Sequence, residues 1–110
     1  MHVVLAGRHT NGLQAALEDA DCSVSHIDDV VDRSALDDAD IESADVYLLT
    51  EMDQATTIAV AKDCNPDVRV VVYDEASLPD FASRQTDVAV DPALIDPETV
   101  VETLTDDEAA

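Results

Sequence analysis

The chain has 110 residues, 46% of them hydrophobic but only 3% aromatic and none Trp, so a single domain with an aliphatic core is expected. Acidic residues number 26 against 5 basic ones, a formal net charge of -21, and five cations cannot neutralise a phosphate backbone, so nucleic acid is excluded as a partner. The acids are interspersed with apolar runs, which argues against disorder and for a folded domain with an acidic surface.

Such a surface repels itself in dilute salt. Near 1 M salt the Debye length falls to about 3 Å and most of that repulsion is screened. Asp far outnumbers Glu and Lys62 is the only lysine, so the composition reads as adaptation to molar KCl, as in extreme halophiles. Met1-His2 runs straight into an apolar segment with no signal peptide, and no apolar run approaches the roughly 20 residues of a membrane span. A cytoplasmic location without direct membrane insertion is expected.

His2 to Ala6 is predicted as a first strand ending at Gly7, followed by a helix from Asn11 to Ala20 with Leu13, Ala16 and Leu17 on one face. Cys22 to Ile27 is a second strand, Val30 to Leu36 a short helix, and Asp37 to Ser43 an acidic connection. Val46 to Thr50 is a third strand, continuous and apolar. Asp53 to Cys64 is the best helix, capped by Asp53, stopped by Asn65-Pro66, and apolar nearly all round. Val68 to Tyr73 is a fourth strand, Glu75 to Ser83 a short helix interrupted by Pro79, and Asp87 to Val90 a fifth strand. A last helix, Pro97 to Leu104, is capped by Asp96, and residues 106–110 form a frayed acidic tail after a domain spanning 1–105. Strict alternation with short, right-handed crossovers gives a doubly wound parallel five-stranded sheet of the Rossmann type, in the expected order 3-2-1-4-5, with helices on both faces.

The loop Gly7-Arg8-His9-Thr10-Asn11-Gly12 lies between the first strand and first helix. It carries two of the three glycines of a dinucleotide fingerprint, with His9 at the middle position, and Asp28 closes the second strand 21 residues after Gly7 (28 − 7). Gly7 would permit the tight turn, Gly12 close packing of the helix on the sheet, and the helix terminus would offer N–H groups to a pyrophosphate. His9 either obstructs the phosphates or, protonated, contacts them. Two glycines in such a turn also occur in α/β domains that bind nothing.

The blocks Val3-Val4-Leu5-Ala6-Gly7-Arg8, Val24-Ser25-His26-Ile27-Asp28, Ile41-Glu42-Ser43-Ala44-Asp45-Val46-Tyr47-Leu48-Leu49-Thr50, Asn65-Pro66-Asp67-Val68-Arg69-Val70 and Asp87-Val88-Ala89-Val90-Asp91-Pro92 together resemble the TrkA-N domain of potassium-uptake regulators and RCK gating domains. The third and fourth blocks carry most of the likeness, because fold constraints alone do not call for them. The resemblance implies a regulatory domain that binds NAD(H) or an adenine nucleotide and controls cation transport. It implies that Gly7, Arg8 and Gly12 cradle phosphates, that Asp28 holds the ribose, and that Thr50 and Asp53 border the cleft. Asp28 and Asp29 would repel a 2′-phosphate, which disfavours NADP. A cation-transporter subunit or a second copy of the chain is the expected partner.

Other chemistry finds little support. Cys22 and Cys64 have no metal or redox spacing and read as reduced thiols, and His2 and His26 as structural. A phosphate-accepting receiver domain would place paired acids after the first strand and its acceptor after the third. Here those strands end in Ala6-Gly7 and Thr50-Glu51, which argues against it. No catalytic constellation is found and an enzyme is not expected. The alternative to a nucleotide sensor is a degenerate Rossmann domain serving as an interaction or dimerisation subunit.

Overall fold

The computed structural model describes residues 2–7, 12–27, 32–51, 55–74, 86–91 and 94–109. Strands β1 (His2–Ala6), β2 (Ser23–Ile27), β3 (Val46–Leu49), β4 (Arg69–Tyr73) and β5 (Val88–Val90) form one parallel sheet. Its helices are α1 (Leu13–Asp19), α2 (Arg33–Asp38), α3 (Thr57–Cys64) and α4 (Pro97–Ala109), with a 3-10 turn at Ile41–Ser43.

Strand alternation splits the core into two layers. Val3 and Leu5 of β1 face one side, with Val46, Leu48, Val71 and Tyr73, against Leu13 and Leu17 of α1 and Val100, Val101 and Leu104 of α4. Val4 and Ala6 face the other, with Tyr47, Leu49, Val70 and Val72, against Leu36 of α2, Ile41, and Ile58 and Ala61 of α3. Each fully buried Leu, Ile or Val contributes about 1.5–3 kcal/mol of hydrophobic stabilisation. The buried polar side chains among the described residues are Thr50 and Thr57, so the described acids lie at or near the surface. The doubly wound parallel α/β class expected from the sequence is the one observed.

The strand order differs. It is β2-β1-β3-β4-β5, not 3-2-1-4-5. The reason lies in which face each helix covers. Parallel crossovers are right-handed, so the direction of travel along the sheet decides the face. α1 lies on one face and α2 on the opposite one, so the chain reverses direction after β2 and passes back over β1. β3 therefore pairs with β1, Val3 to Val46 through Ala6 to Leu49. Burial agrees: β3 is buried at all four positions, whereas β2 has exposed or half-buried residues throughout and forms an edge.

Local chemistry sets the helix ends. The Asp32 carboxylate accepts from the Ala35 N–H at 2.8 Å, starting α2 later than the expected Val30. Part of the acidic connection after it is the 3-10 turn, entered through Asp40 at φ 61°. α3 begins at Thr57 and buries one face, through Thr57, Ile58 and Ala61, while Ala59 is exposed, so it is not apolar-packed all round. Asp53, expected as its cap, lies outside the described residues, as does the short helix expected from Glu75 to Ser83. Asp96 caps α4, its carboxylate accepting from the Thr99 N–H at 2.8 Å, and α4 continues to Ala109.

The amino-terminal rim of the sheet is knitted by side chains. Asn65 donates to the carbonyls of Ile41 and Ala44, both at 2.9 Å, fastening the 3-10 turn to the end of α3. The Asp45 backbone bridges β1 and β4, donating to His2 O at 2.9 Å and accepting from Arg69 N at 3.0 Å. Lys62 donates to Val68 O at 2.8 Å and to Asp87, whose carboxylate also accepts from Val70 N. Arg33 pairs with Asp63 across α2 and α3. The third and fourth resemblance blocks, Ile41 to Thr50 and Asn65 to Val70, thus meet here as structural partners.

Candidate functional site

In the order 2-1-3-4-5 the crossovers diverge between β1 and β3, and the crevice of an open α/β sheet lies at the carboxyl ends of those strands. Gly7 ends β1 and Thr50 follows β3, and the two residues meet there. Gly7 has φ +126°, a conformation that favours glycine. A Cβ at this position would stand 1.9 Å from Thr50 Oγ1 and 3.3 Å from Glu51 Cγ. The Thr50 side chain therefore fills the space that the missing Gly7 side chain leaves.

Thr50 is held firmly. Its N–H donates to Ala6 O at 2.9 Å and its hydroxyl donates to the same carbonyl at 3.1 Å. It is 6% exposed. On the other flank, Gly7 N donates to Ile27 O at 2.9 Å and His26 Nε2 donates to Gly7 O at 2.9 Å. Glu51, Asp74 and Asp91 follow β3, β4 and β5, giving this rim a negative character. Beside it, the Tyr73 hydroxyl donates to Ile95 O at 3.0 Å, and burial together with the nearby Asp96 raises its pKa. Asp96 itself is held below the usual carboxylate range by hydrogen bonds from the Thr99 side chain and backbone. Beneath the rim, Tyr47 donates or accepts a 2.7 Å hydrogen bond with Thr57, and burial pushes its phenol up to about 12.

Of the site residues expected from the sequence, Gly7 and Thr50 are brought together, though as packing partners. Gly12 stands apart, at the start of α1 with φ 85°. Its nearest contact to an added Cβ would be Pro97 at 3.9 Å, so its backbone conformation, not close packing on the sheet, is what favours glycine. Arg8, His9, Asp28 and Asp53 lie outside the described residues. Among the described residues no three His, Cys, Asp or Glu are grouped to hold a metal ion. No helix among them is long and apolar enough to cross a membrane. Cys22 is buried, Cys64 half-buried, and neither is in a disulfide.

The order and the two-layer packing are those of the flavodoxin-like doubly wound α/β folds, and the solved structures of similar fold include response regulators. HP1043, an orphan response regulator of H. pylori, superimposes with a TM-score of 0.75 at 12% identity, over 96% of this chain and 94% of that one. A response regulator from Thermotoga maritima gives 0.75 at 13% identity, over 99% and 98%. An atypical orphan response regulator, whose structure is described as revealing a phosphorylation-independent regulatory mechanism, gives 0.68 at 15% identity, over 93% and 90%. At these identities the likeness is one of fold. By sequence the chain belongs to a family of unknown function, DUF7126, whose model matches residues 3–104. No curated protein matches it.

These findings overturn the TrkA-N resemblance. The structural relatives are receiver domains, the switch point lies between β1 and β3, and the glycine there is occupied by Thr50. The expectations of NAD(H) or an adenine nucleotide, of potassium-transport regulation, and of a Rossmann domain degenerate at its nucleotide site fall with it. The dismissal of a receiver domain is corrected too: the fold is receiver-like although the acids sit elsewhere.

Proposed function

We propose that this protein is a receiver-like signalling module of the cytoplasm that works without aspartyl phosphorylation, by presenting its folded surface to a protein partner or to a second copy of itself. One observation carries this reading. Where a receiver domain bears its phosphate acceptor, after the third strand, this chain has Thr50, buried and with its hydroxyl proton committed to Ala6 O. A hydroxyl so placed is no substitute for a carboxylate nucleophile, and a phosphoryl group there would collide with Gly7 and the end of β1. Ala6-Gly7 likewise stands where paired acids would gather a divalent cation. The atypical orphan regulator with a phosphorylation-independent mechanism supports the same direction.

The test is incubation with acetyl phosphate and Mg2+ in molar KCl, followed by intact-mass measurement and thermal unfolding. No phosphoryl adduct and no shift in melting temperature are expected. A stoichiometric adduct discharged by hydroxylamine, the signature of an acyl phosphate, would refute the proposal.

A further inference from the structure

The β2 edge of the sheet is unusual for so acidic a chain. Cys22 to Ile27 contains no acid, although acids make up 26 of 110 residues, and β2 keeps an unbroken register with β1. Natural sheets normally guard an open edge with charge, proline or a bulge. Here the five residues Ser23–Ile27 carry none of these. At the opposite edge, β5 is three residues long and flanked by Asp87 and Asp91.

The ladder fixes which peptide groups face outward. Gly7 N donates to Ile27 O, and His2 O and Ala6 O are turned toward β3, accepting from Asp45 N and Thr50 N. In a parallel ladder alternate residues bond to the same neighbour. Ser23, Ser25 and Ile27 therefore turn their peptide groups to β1, and Val24 and His26 turn N–H and C=O to the outer edge, where none of the described residues pairs with them.

We infer that β2 is the self-association surface of this protein, two copies joining antiparallel through β2 about a two-fold axis at Ser25 to make one continuous ten-stranded sheet. The occupant follows from complementarity. With the axis at Ser25, Val24 of each copy lies opposite His26 of the other, and each such pair exchanges two backbone hydrogen bonds. The strip is its own match in length, spacing and polarity. Any surface of this chain rich in acids would repel its copy, whereas this strand brings neutral side chains together. A two-fold, self-complementary patch is the usual form of a homodimer contact. The inference does not depend on the absence of phosphorylation, and each can fail alone.

Sedimentation equilibrium over a wide concentration range, in KCl of about 2 M where the Debye length is only a few Å, tests it. The mass is expected to rise from 11.8 kDa toward twice that value. In the same samples, amide hydrogen exchange at Val24 and His26 should slow with concentration while Ser25 and Ile27 remain unchanged. His26→Pro, which removes one outward N–H, should return the protein to monomer with its far-UV spectrum retained. A monomer at every concentration overturns the inference. So does a dimer in which the Val24 and His26 amides gain no protection, a result that needs no variant to fold.

Discussion

Replacing Gly7 by Ala tests the packing of the β1–β3 junction most directly. Two costs combine. An L side chain at φ +126° strains the backbone by about 1–3 kcal/mol. The new Cβ would also stand 1.9 Å from Thr50 Oγ1, and relieving such overpacking costs about 1–3 kcal/mol more. Even 2 kcal/mol would lower the melting temperature of a domain this size by roughly 10 °C. A double-mutant cycle separates the two. Thr50→Ala alone loses one hydrogen bond and a buried methyl, about 1–2 kcal/mol, without orphaning Ala6 O, which keeps the Thr50 N–H. In the double variant the closest contact is gone while the strain and the contacts to the Cβ of residue 50 at 3.2 Å and to Glu51 Cγ at 3.3 Å remain. The pair should therefore be less destabilised than the sum of the single variants, by about 1 kcal/mol or more. Urea unfolding followed by circular dichroism reads this at constant ionic strength. Additivity of the two changes would mean that the Thr50 hydroxyl is not seated above Gly7.

Three further outcomes are expected from the structure and the charge of the chain. Tyr47, pushed up to about 12 by burial, stays neutral in the folded state while the unfolded chain ionises near pH 10, so its contribution is intact below pH 10 and is lost between about 10 and 12, at about 1.4 kcal/mol per pH unit; Tyr47→Phe should flatten that part of the stability–pH curve. Asn65→Ala removes donors from the Ile41 and Ala44 carbonyls and should destabilise by about 1–3 kcal/mol, with amide exchange rising first around residues 41–45. Lowering KCl from about 2 M to 0.1 M lengthens the Debye length from a few Å to about 10 Å, so with a net charge of -21 the melting temperature should fall steadily, and a flat profile would refute the halophilic reading.

The parallel α/β class was legible because short apolar runs alternated with helical periods, and every described strand appears close to its expected place. The order was also written in the chain, in a signal of another kind. Ser23, Ser25 and His26 put three polar residues in a strand that 3-2-1-4-5 would bury between two neighbours, whereas Val46-Tyr47-Leu48-Leu49 is wholly apolar, as a central strand must be. Polarity thus placed β2 at an edge and β3 inside. The junction at Gly7 was less accessible. A glycine after a first strand serves a close approach of backbone to ligand or of backbone to side chain equally well, and only the neighbouring strand decides which. With β3 beside β1, that neighbour is Thr50.

The same ambiguity explains why a family resemblance spread over most of the chain pointed to the wrong ligand. Its strongest blocks, Ile41 to Thr50 and Asn65 to Val70, lie largely at the amino-terminal rim, where Asn65 satisfies two carbonyls and Asp45 links β1 to β4. Any parallel sheet that passes from a tight turn into a central strand must satisfy such groups, because buried backbone carbonyls left unpaired are costly. Asn-Pro after a helix and a polar residue before a strand are one solution, usable by folds of different strand order. Motifs at that rim therefore report how the layers are joined. What binds at the opposite, carboxyl-terminal rim is set by the residues there, and in this chain those are a filled glycine, a buried hydroxyl and acids that follow β3, β4 and β5.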